Sequence, residues 1–291
     1  MKKRTKYNLT TFTFLLPWIV VFAVFSVYPI VFSLTISFTD YTGLSPSFNF
    51  IGFDNFIKLL KDDVFLIALR NTSVFVVGTI PFTTTIALLL AVLINSKLVR
   101  FKGLFKAGFF LPAVMSMVVI ATIWRYMYSA DGIINVVLRT LGIQKTTGWL
   151  ASPDTALLSI MIMNVWSAVG YYTIIFLAGI QSIPEQLYES ASIDGASDGR
   201  KFFKITLPLI KPTLFFVIAI NTIRSFQIFS EIFTMTGGEP LNSTQTIVHY
   251  LYIKGFRQFE MGYASAMAYV LVIIIMLVTL IQQRTLKSES L

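Results

Sequence analysis

Six stretches of this 291-residue sequence are apolar over about 20 residues or more, the length that a helix needs to cross the hydrocarbon core of a bilayer. Their approximate bounds are 12–38, 71–94, 108–128, 155–180, 212–234 and 263–282. Charged residues make up 13% of the chain, whereas soluble domains carry about 25%. The sequence therefore predicts an all-α, polytopic membrane protein with six transmembrane helices.

The first stretch follows a basic N-terminus, as the core of a signal peptide does. It is too long for such a core, which has about 7–15 apolar residues, so we expect an uncleaved first transmembrane helix. Pro17, Pro29 and Pro81 fall within predicted helices and are expected to kink them. We expect the six helices to form one transmembrane domain over residues 1–291.

Lysine and arginine residues are concentrated in alternate connecting segments. The first eleven residues, 95–107, 181–211 and the tail after 282 contain 14 of the 23 Lys and Arg residues, including Lys97, Arg100 and Lys287. Because basic residues stay on the inner side of a membrane, both termini are predicted to be cytoplasmic. The charge of +9 is thus explained by orientation, and nothing else indicates nucleic-acid binding.

The sequence does not contain the residues that several kinds of chemistry require. The sequence contains no Gly-x-x-x-x-Gly-Lys-Ser/Thr motif, so we expect no ATPase site of its own. There is no cysteine, and His249, in a predicted outer loop, is the only histidine. We therefore expect no catalytic residue, no metal site and no cofactor on this chain.

The predicted inner segment 181–211 has the pattern of two short helices joined by a turn. Pro184 and Glu185 suit a helix start, Gly195 can end that helix, and Pro208 ends a second amphipathic piece. Such a segment either offers an exposed face to a partner or merely connects two spans.

The spacing within this segment matches a known motif. Six residues repeat it: Glu189, Ala191, Gly195, Ile205, Leu207 and Pro208. They resemble the EAA loop of binding-protein-dependent ABC importers, a cytoplasmic coupling-helix loop that permease subunits dock into a groove of the ATPase. Ser190 stands where the strict motif has alanine. The resemblance implies that Glu189 meets a basic residue of the ATPase and that Gly195 permits the turn.

The similarity extends over nearly the whole chain, to the carbohydrate-uptake branch of these permeases. Among the matching stretches are 28–30, 50–56, 178–184 and 236–240, where Glu239 departs from the usual glycine. The resemblance implies a sugar importer in the bacterial cytoplasmic membrane. Its partners would be a second homologous permease, two ATPase subunits that bind ATP and magnesium, an extracytoplasmic solute-binding protein, membrane lipid and the sugar.

Polar residues recur along one face of two predicted spans. In the fourth, Asn164, Ser167 and Tyr171 share a helical face, with Trp166 beside them. In the fifth, a second stripe contains Asn221, Arg224, Gln227 and Glu231. Amides bind hydroxyls and aromatic rings stack on sugars, so Asn164, Trp166, Tyr171 and Gln227 are predicted to bind substrate, also by similarity to the maltose permease.

Other interpretations of these features stay open. The polar stripes could instead form interhelical hydrogen bonds, with Arg224 and Glu231 as an internal ion pair. Alternative functions are an ion-coupled secondary carrier, an ABC permease for a non-sugar solute, and a membrane scaffold or receptor. The spacing of the EAA-like motif favours the importer.

Overall fold

The structure is a computed structural model that describes residues 2–45, 47–96, 101–143 and 148–286. Apart from one isolated β-bridge between Thr39 and Phe50, its regular structure within these ranges is helical. The helices before the centre of the chain are α1 (Lys2–Phe22), α2 (Tyr28–Ile36), α3 (Asp54–Leu59), α4 (Asp63–Asn95), α5 (Lys102–Val114), α6 (Met117–Met127) and α7 (Ile133–Thr140). They are followed by α8 (Pro153–Gln181), α9 (Glu185–Ile193), α10 (Asp198–Lys201), α11 (Leu207–Leu209), α12 (Lys211–Phe226), α13 (Ser230–Met235), α14 (Ile247–Tyr252) and α15 (Met261–Leu286).

The number of helices that can cross a membrane is four to six within the described ranges. Four are long and apolar enough by themselves: Phe12–Ile36, Asp63–Asn95, Pro153–Gln181 and Met261–Thr285. Two bent pairs qualify if each is one span: Gly103–Val114 with Met117–Met127, and Asp198–Leu209 with Lys211–Phe226. The prediction of an all-α, polytopic membrane protein is confirmed.

Two of the six predicted spans are not continuous helices. The span predicted over 108–128 bends by 97° between α5 and α6, where Met115 and Ser116 have extended backbone. The span predicted over 212–234 ends at Phe226, and α13 starts only at Ser230. Hydropathy averaged over a long window cannot register such breaks, because a few residues of irregular backbone barely change the mean.

The predicted proline kinks fall at different kinds of site. Pro81 lies inside the 33-residue helix α4 and Pro17 inside α1, and both helices continue past the ring. Pro29 stands at the start of α2, directly after a π-helical turn over Ala23–Val27. Val27 and Tyr28 are themselves helical, so the helix continues through Pro29 as part of Phe12–Ile36. The π-helical turn lies where a proline removes an amide donor and crowds the preceding turn.

The chain divides into two compact units, and the larger comprises Asp63–Tyr250 with the chain from Leu271 onward. Its core is the pair α4 and α8. One apolar cluster includes Phe75, Ile160 and Met163, and another includes Ala87 and Phe176. Along α8 the buried members of the two clusters lie on either side of residues 164–171, and this stretch contains the polar stripe.

Helix α5 approaches α8 very closely at Gly170. A β-carbon at this glycine would lie 1.7 Å from the Phe109 carbonyl oxygen. Only the hydrogen of a glycine fits there. Gly170 therefore lets the backbones of the two helices approach closely, as small residues do between membrane helices.

Replacing Gly170 with alanine should therefore destabilise the larger unit. Because the clash is with backbone, we expect a cost of about 1–3 kcal/mol, measured as a lower melting temperature in detergent. Gly108→Ala on α5 is the matched control, since a β-carbon there meets nothing within 4 Å. Equal melting temperatures for the two variants would contradict this packing.

The smaller unit comprises the chain up to Asp62 together with Leu251–Val270, and a charged network joins its parts. Glu260 accepts hydrogen bonds from the amino groups of Lys58, at 2.6 Å, and Lys254, at 2.9 Å. The Tyr263 hydroxyl donates to Asp62 at 2.6 Å. The Lys58 amino group lies 4.3 Å from the centre of the Tyr263 ring. Helix α3 is thereby attached to the start of α15.

The stability of this network should depend on pH. Partial burial opposes ionisation of Glu260, but the hydrogen bonds from Lys58 and Lys254 outweigh it and lower the pKa of Glu260 below 4.5. The ionised carboxylate therefore stabilises the folded state above about pH 4.5, and this contribution is lost as pH falls through the lowered pKa.

Glu260→Gln should melt below the parent protein at pH 7, and the difference should shrink as the pH is lowered below about 4.5. Asp131→Asn is the control, because Asp131 is exposed and its ion pair with Arg139 is long, at 3.9 Å. The same melting temperature for Glu260→Gln and the parent at pH 7 would show that the network does not stabilise the fold.

Candidate functional site

The EAA-like segment consists of two helical pieces joined by a sharp turn at Gly195. Gly195 has φ +73°, which L-residues with side chains rarely adopt. The amide of Ala196 donates to the Ala191 carbonyl at 2.8 Å, and that of Gly195 to the Ser192 carbonyl at 3.1 Å. This is the Schellman pattern that ends helices, so the motif residues Ala191 and Gly195 close helix α9 together.

The second piece starts at once. The Ser197 hydroxyl caps it by accepting from the Arg200 amide, and the chain stays helical from Asp198 to Leu209. The hydroxyls of Tyr188 and Thr206 hydrogen-bond at 2.8 Å and join the two pieces. The segment is therefore a compact helix-turn-helix, as its sequence pattern predicts.

One side of this helix-turn-helix is open. No residue of α9 is buried, and Glu189 is exposed without an ion pair among the described residues. Ile193 is 87% exposed and Phe203 66% exposed. Of the remaining motif residues, Ile205 and Leu207 are half-buried and Pro208 is exposed. Lys97, Arg100 and Lys287 of the orientation prediction lie outside the described residues.

A polar cavity of about 210 Å³ lies between α8, α12, α13 and the break that separates α5 from α6. Its polar lining consists of Asn164, Ser167, Tyr171, Tyr172, Asn221, Arg224, Ser225 and Glu231. Ser167 is close to the middle of the 29-residue helix α8. The cavity is therefore at the depth at which polar groups need a partner or a wet space.

Several of these groups bind one another. Asn164 donates from its amide nitrogen to Glu231 at 3.0 Å, and the Ser167 hydroxyl donates to the Asn164 carbonyl. The Arg224 guanidinium lies 4.7 Å from the centre of the Tyr171 ring, a cation–π contact. Glu231 is 7% exposed.

Asn221 is the exception in this cavity. The side-chain oxygen of Asn221 accepts a hydrogen bond from the Ser225 hydroxyl at 3.4 Å. Its buried side-chain nitrogen has no hydrogen-bond partner within the described part of the chain. Asn221 is 3% exposed. An unpaired buried donor costs free energy, so a ligand that accepts from Asn221 would gain affinity.

The structure divides the four predicted substrate residues into two groups. Asn164 and Tyr171 line the polar cavity. Trp166 instead lines a separate apolar cavity of about 760 Å³ between α4, α5 and α8, and its ring is 5.5 Å from that of Trp124. Gln227 is exposed at the end of α12. That any of these four residues binds substrate stays a prediction.

Two further features of the cavity differ from what the spacing of residues indicates. Arg224 and Glu231, seven residues apart, form no ion pair with each other in the described part of the chain, because the break at 227–229 separates their helices. Ser225 joins the lining although the polar stripe of a continuous helix leaves it out. A break in an apolar segment leaves no sequence signal strong enough to reveal either point.

His249 is buried rather than solvated. Its Nδ1 atom is 2.7 Å from the Gln245 side-chain oxygen, and the ring lies near Phe229 and Phe233. Among the described residues, no group of three or more His, Cys, Asp and Glu could hold a metal ion.

Comparison with known proteins places these features in one family. Residues 3–288 match the family described as the binding-protein-dependent transport system inner membrane component. The chain is 36% identical to the lactose transport system permease protein LacF of Rhizobium radiobacter, over 95% of this chain and 93% of that protein. It is also 36% identical to the arabinooligosaccharides transport system permease protein AraP of Halalkalibacterium halodurans, over 91% and 84%.

A third relative is the diacetylchitobiose uptake system permease protein NgcF of Streptomyces coelicolor, 34% identical over 92% of this chain and 81% of that protein. Among solved structures, a bacterial ABC transporter involved in the import of the acidic polysaccharide alginate is similar, with a TM-score of 0.87 and 25% identity over 99% of both chains. The chain belongs to the family of binding-protein-dependent transport system inner membrane components. It is a multi-pass membrane protein and a permease of an ABC importer.

Proposed function

We propose that this permease moves a sugar or oligosaccharide across the cytoplasmic membrane, as one of two homologous subunits around a shared pathway. The polar cavity at the middle of α8 carries this proposal, because it combines amides, a hydroxyl and an aromatic ring around an unpaired amide donor. Such groups suit a ligand rich in hydroxyls. The names of LacF, AraP and NgcF, which refer to lactose, arabinooligosaccharides and diacetylchitobiose, support it.

The energy would come from two separate ATPase subunits that bind ATP and magnesium. The helix-turn-helix at Gly195 supports this, because its open face offers Glu189 and exposed apolar side chains to a partner. The distribution of Lys and Arg supports placing this segment and both termini in the cytoplasm. Motion of an ATPase pair would then be passed to the membrane helices through a rigid lever.

The remaining partners would be a second permease, lipid and a solute-binding protein outside the cell. The helix Phe12–Ile36 buries only 6% of its most apolar window within this chain, so lipid or the second permease would cover it. The family is defined by its dependence on a binding protein. This favours the importer over an ion-coupled carrier that acts alone.

The docking of the ATPase can be tested by co-purification from native membranes in mild detergent, followed by mass spectrometry. We expect an ATPase, a second permease and a solute-binding protein to accompany the parent protein. Glu189→Ala should insert normally but retain the ATPase about tenfold more weakly, a loss of about 1.4 kcal/mol, since it removes one charged contact. Transport should fall with it.

Glu185→Ala is the matched control, because Glu185 is also exposed on α9 but lies outside the motif. A Glu189→Ala protein that keeps its ATPase and transports like the parent would disprove the role of this segment. A parent protein that purifies alone would instead favour a carrier or a scaffold.

The cavity can be tested with Asn221→Ala. The substitution removes the unpaired amide donor and only one long internal hydrogen bond, so folding should be preserved. We expect sugar uptake by the reconstituted importer to fall about tenfold, in line with one lost ligand hydrogen bond. Thr173→Ala is the control, because Thr173, on α8, is also buried, but its hydroxyl donates to the Val169 carbonyl and it does not line the cavity. Equal uptake by both variants would place the sugar elsewhere.

A further inference from the structure

Two side chains of opposite formal charge line the polar cavity without forming an ion pair with each other. Arg224 contacts the face of Tyr171, and Glu231 accepts from the neutral amide of Asn164. Within the described part of the chain, neither side chain has an oppositely charged partner. Charges at membrane depth ordinarily pair with each other or face a water-filled path.

The helix break keeps the two charges apart. In a continuous helix a spacing of seven residues would put Arg224 and Glu231 on one face, two turns apart. Here α12 ends at Phe226 and α13 begins at Ser230, so both side chains reach the same cavity from different helices. Each charge is therefore placed to act on whatever enters the cavity.

We propose that Arg224 and Glu231 form a charge filter that makes this cavity select sugars without net charge, an inference that rests on the proposed function. A neutral sugar can donate hydroxyl hydrogens to Glu231 and accept hydrogen bonds from Arg224 and Asn221. An acidic sugar would gain at Arg224 but meet the carboxylate of Glu231 within the same 210 Å³. A cationic sugar would meet the reverse conflict.

The small volume of the cavity increases the repulsion between a charged sugar and the side chain of like charge. Arg224 and Glu231 both line the cavity of about 210 Å³, so a sugar unit that enters it lies close to both side chains. Glu231 is buried, so water screens its interaction with a ligand charge poorly. Arg224 is exposed, so water screens its charge more strongly. Selection by charge thus follows from the position of both groups around one small cavity.

The proposal can be tested with a matched pair of disaccharides, galactobiose and digalacturonate, which differ in the carboxylates at C6. The protein is the purified importer complex of both permeases and the ATPases, and the readout is the concentration of each sugar that raises the melting temperature half-maximally. Lactose, arabinobiose and diacetylchitobiose complete the neutral set.

We expect the parent complex to prefer galactobiose to digalacturonate by tenfold or more. Glu231→Gln leaves Arg224 alone and should shift this ratio at least tenfold towards digalacturonate. Arg224→Gln should weaken galactobiose binding and leave digalacturonate unbound. The double variant restores a cavity without net charge, so its ratio should return towards that of the parent, which a merely structural role would not produce.

Glu239→Gln is the matched control, because it removes an exposed carboxylate outside the cavity and should leave the ratio unchanged. A parent complex that prefers digalacturonate, or a ratio that Glu231→Gln does not move, would overturn the charge filter while leaving sugar transport intact. If none of the sugars stabilises the parent complex or any variant, the sugar function itself fails.

Discussion

The contact between α4 and α8 is the interaction on which the rest of the larger unit depends. The two helices share apolar clusters around Ile160 and around Phe176, and these clusters hold them together at two levels. Between these levels, Asn164, Ser167 and Tyr171 of α8 line the polar cavity. Because lipid offers no hydrogen bonds, only an interior position of this kind can hold a group of amides and charges in a membrane.

Broken helices complete the cavity. The first break, the extended backbone at Met115 and Ser116, borders the cavity. The second break lies between Phe226 and Ser230, and the lining residues Ser225 and Glu231 lie on either side of it. Irregular backbone at membrane depth is tolerated where it is buried in protein or lines a cavity, and transporters use such breaks around substrate sites. The same breaks set Arg224 and Glu231 on different helices, so the chemistry of the cavity depends on them.

Helix α12 connects the two candidate functional regions. It follows the helix-turn-helix after a bend of 67° and reaches the cavity with Asn221 and Arg224. A displacement of the exposed loop would therefore reach the polar lining through one rigid element. Distant sites in a transporter are coupled when both of them favour one of two discrete arrangements of such an element. The left-handed backbone of Gly195 at the turn sets the direction of the second helical piece.

The sequence by itself determined the membrane class, the helical architecture, the helix-turn-helix and the polar stripe with Asn164 and Tyr171. These follow from local rules: length of apolar stretches, positions of proline and glycine, and helical periodicity. The tertiary structure alone decided that Trp166 faces an apolar cavity, that Asn221 is left unpaired, and that Arg224 and Glu231 do not pair. The physical reason is that these outcomes depend on where helices break and which faces meet, and the local periodicity of the sequence fixes neither.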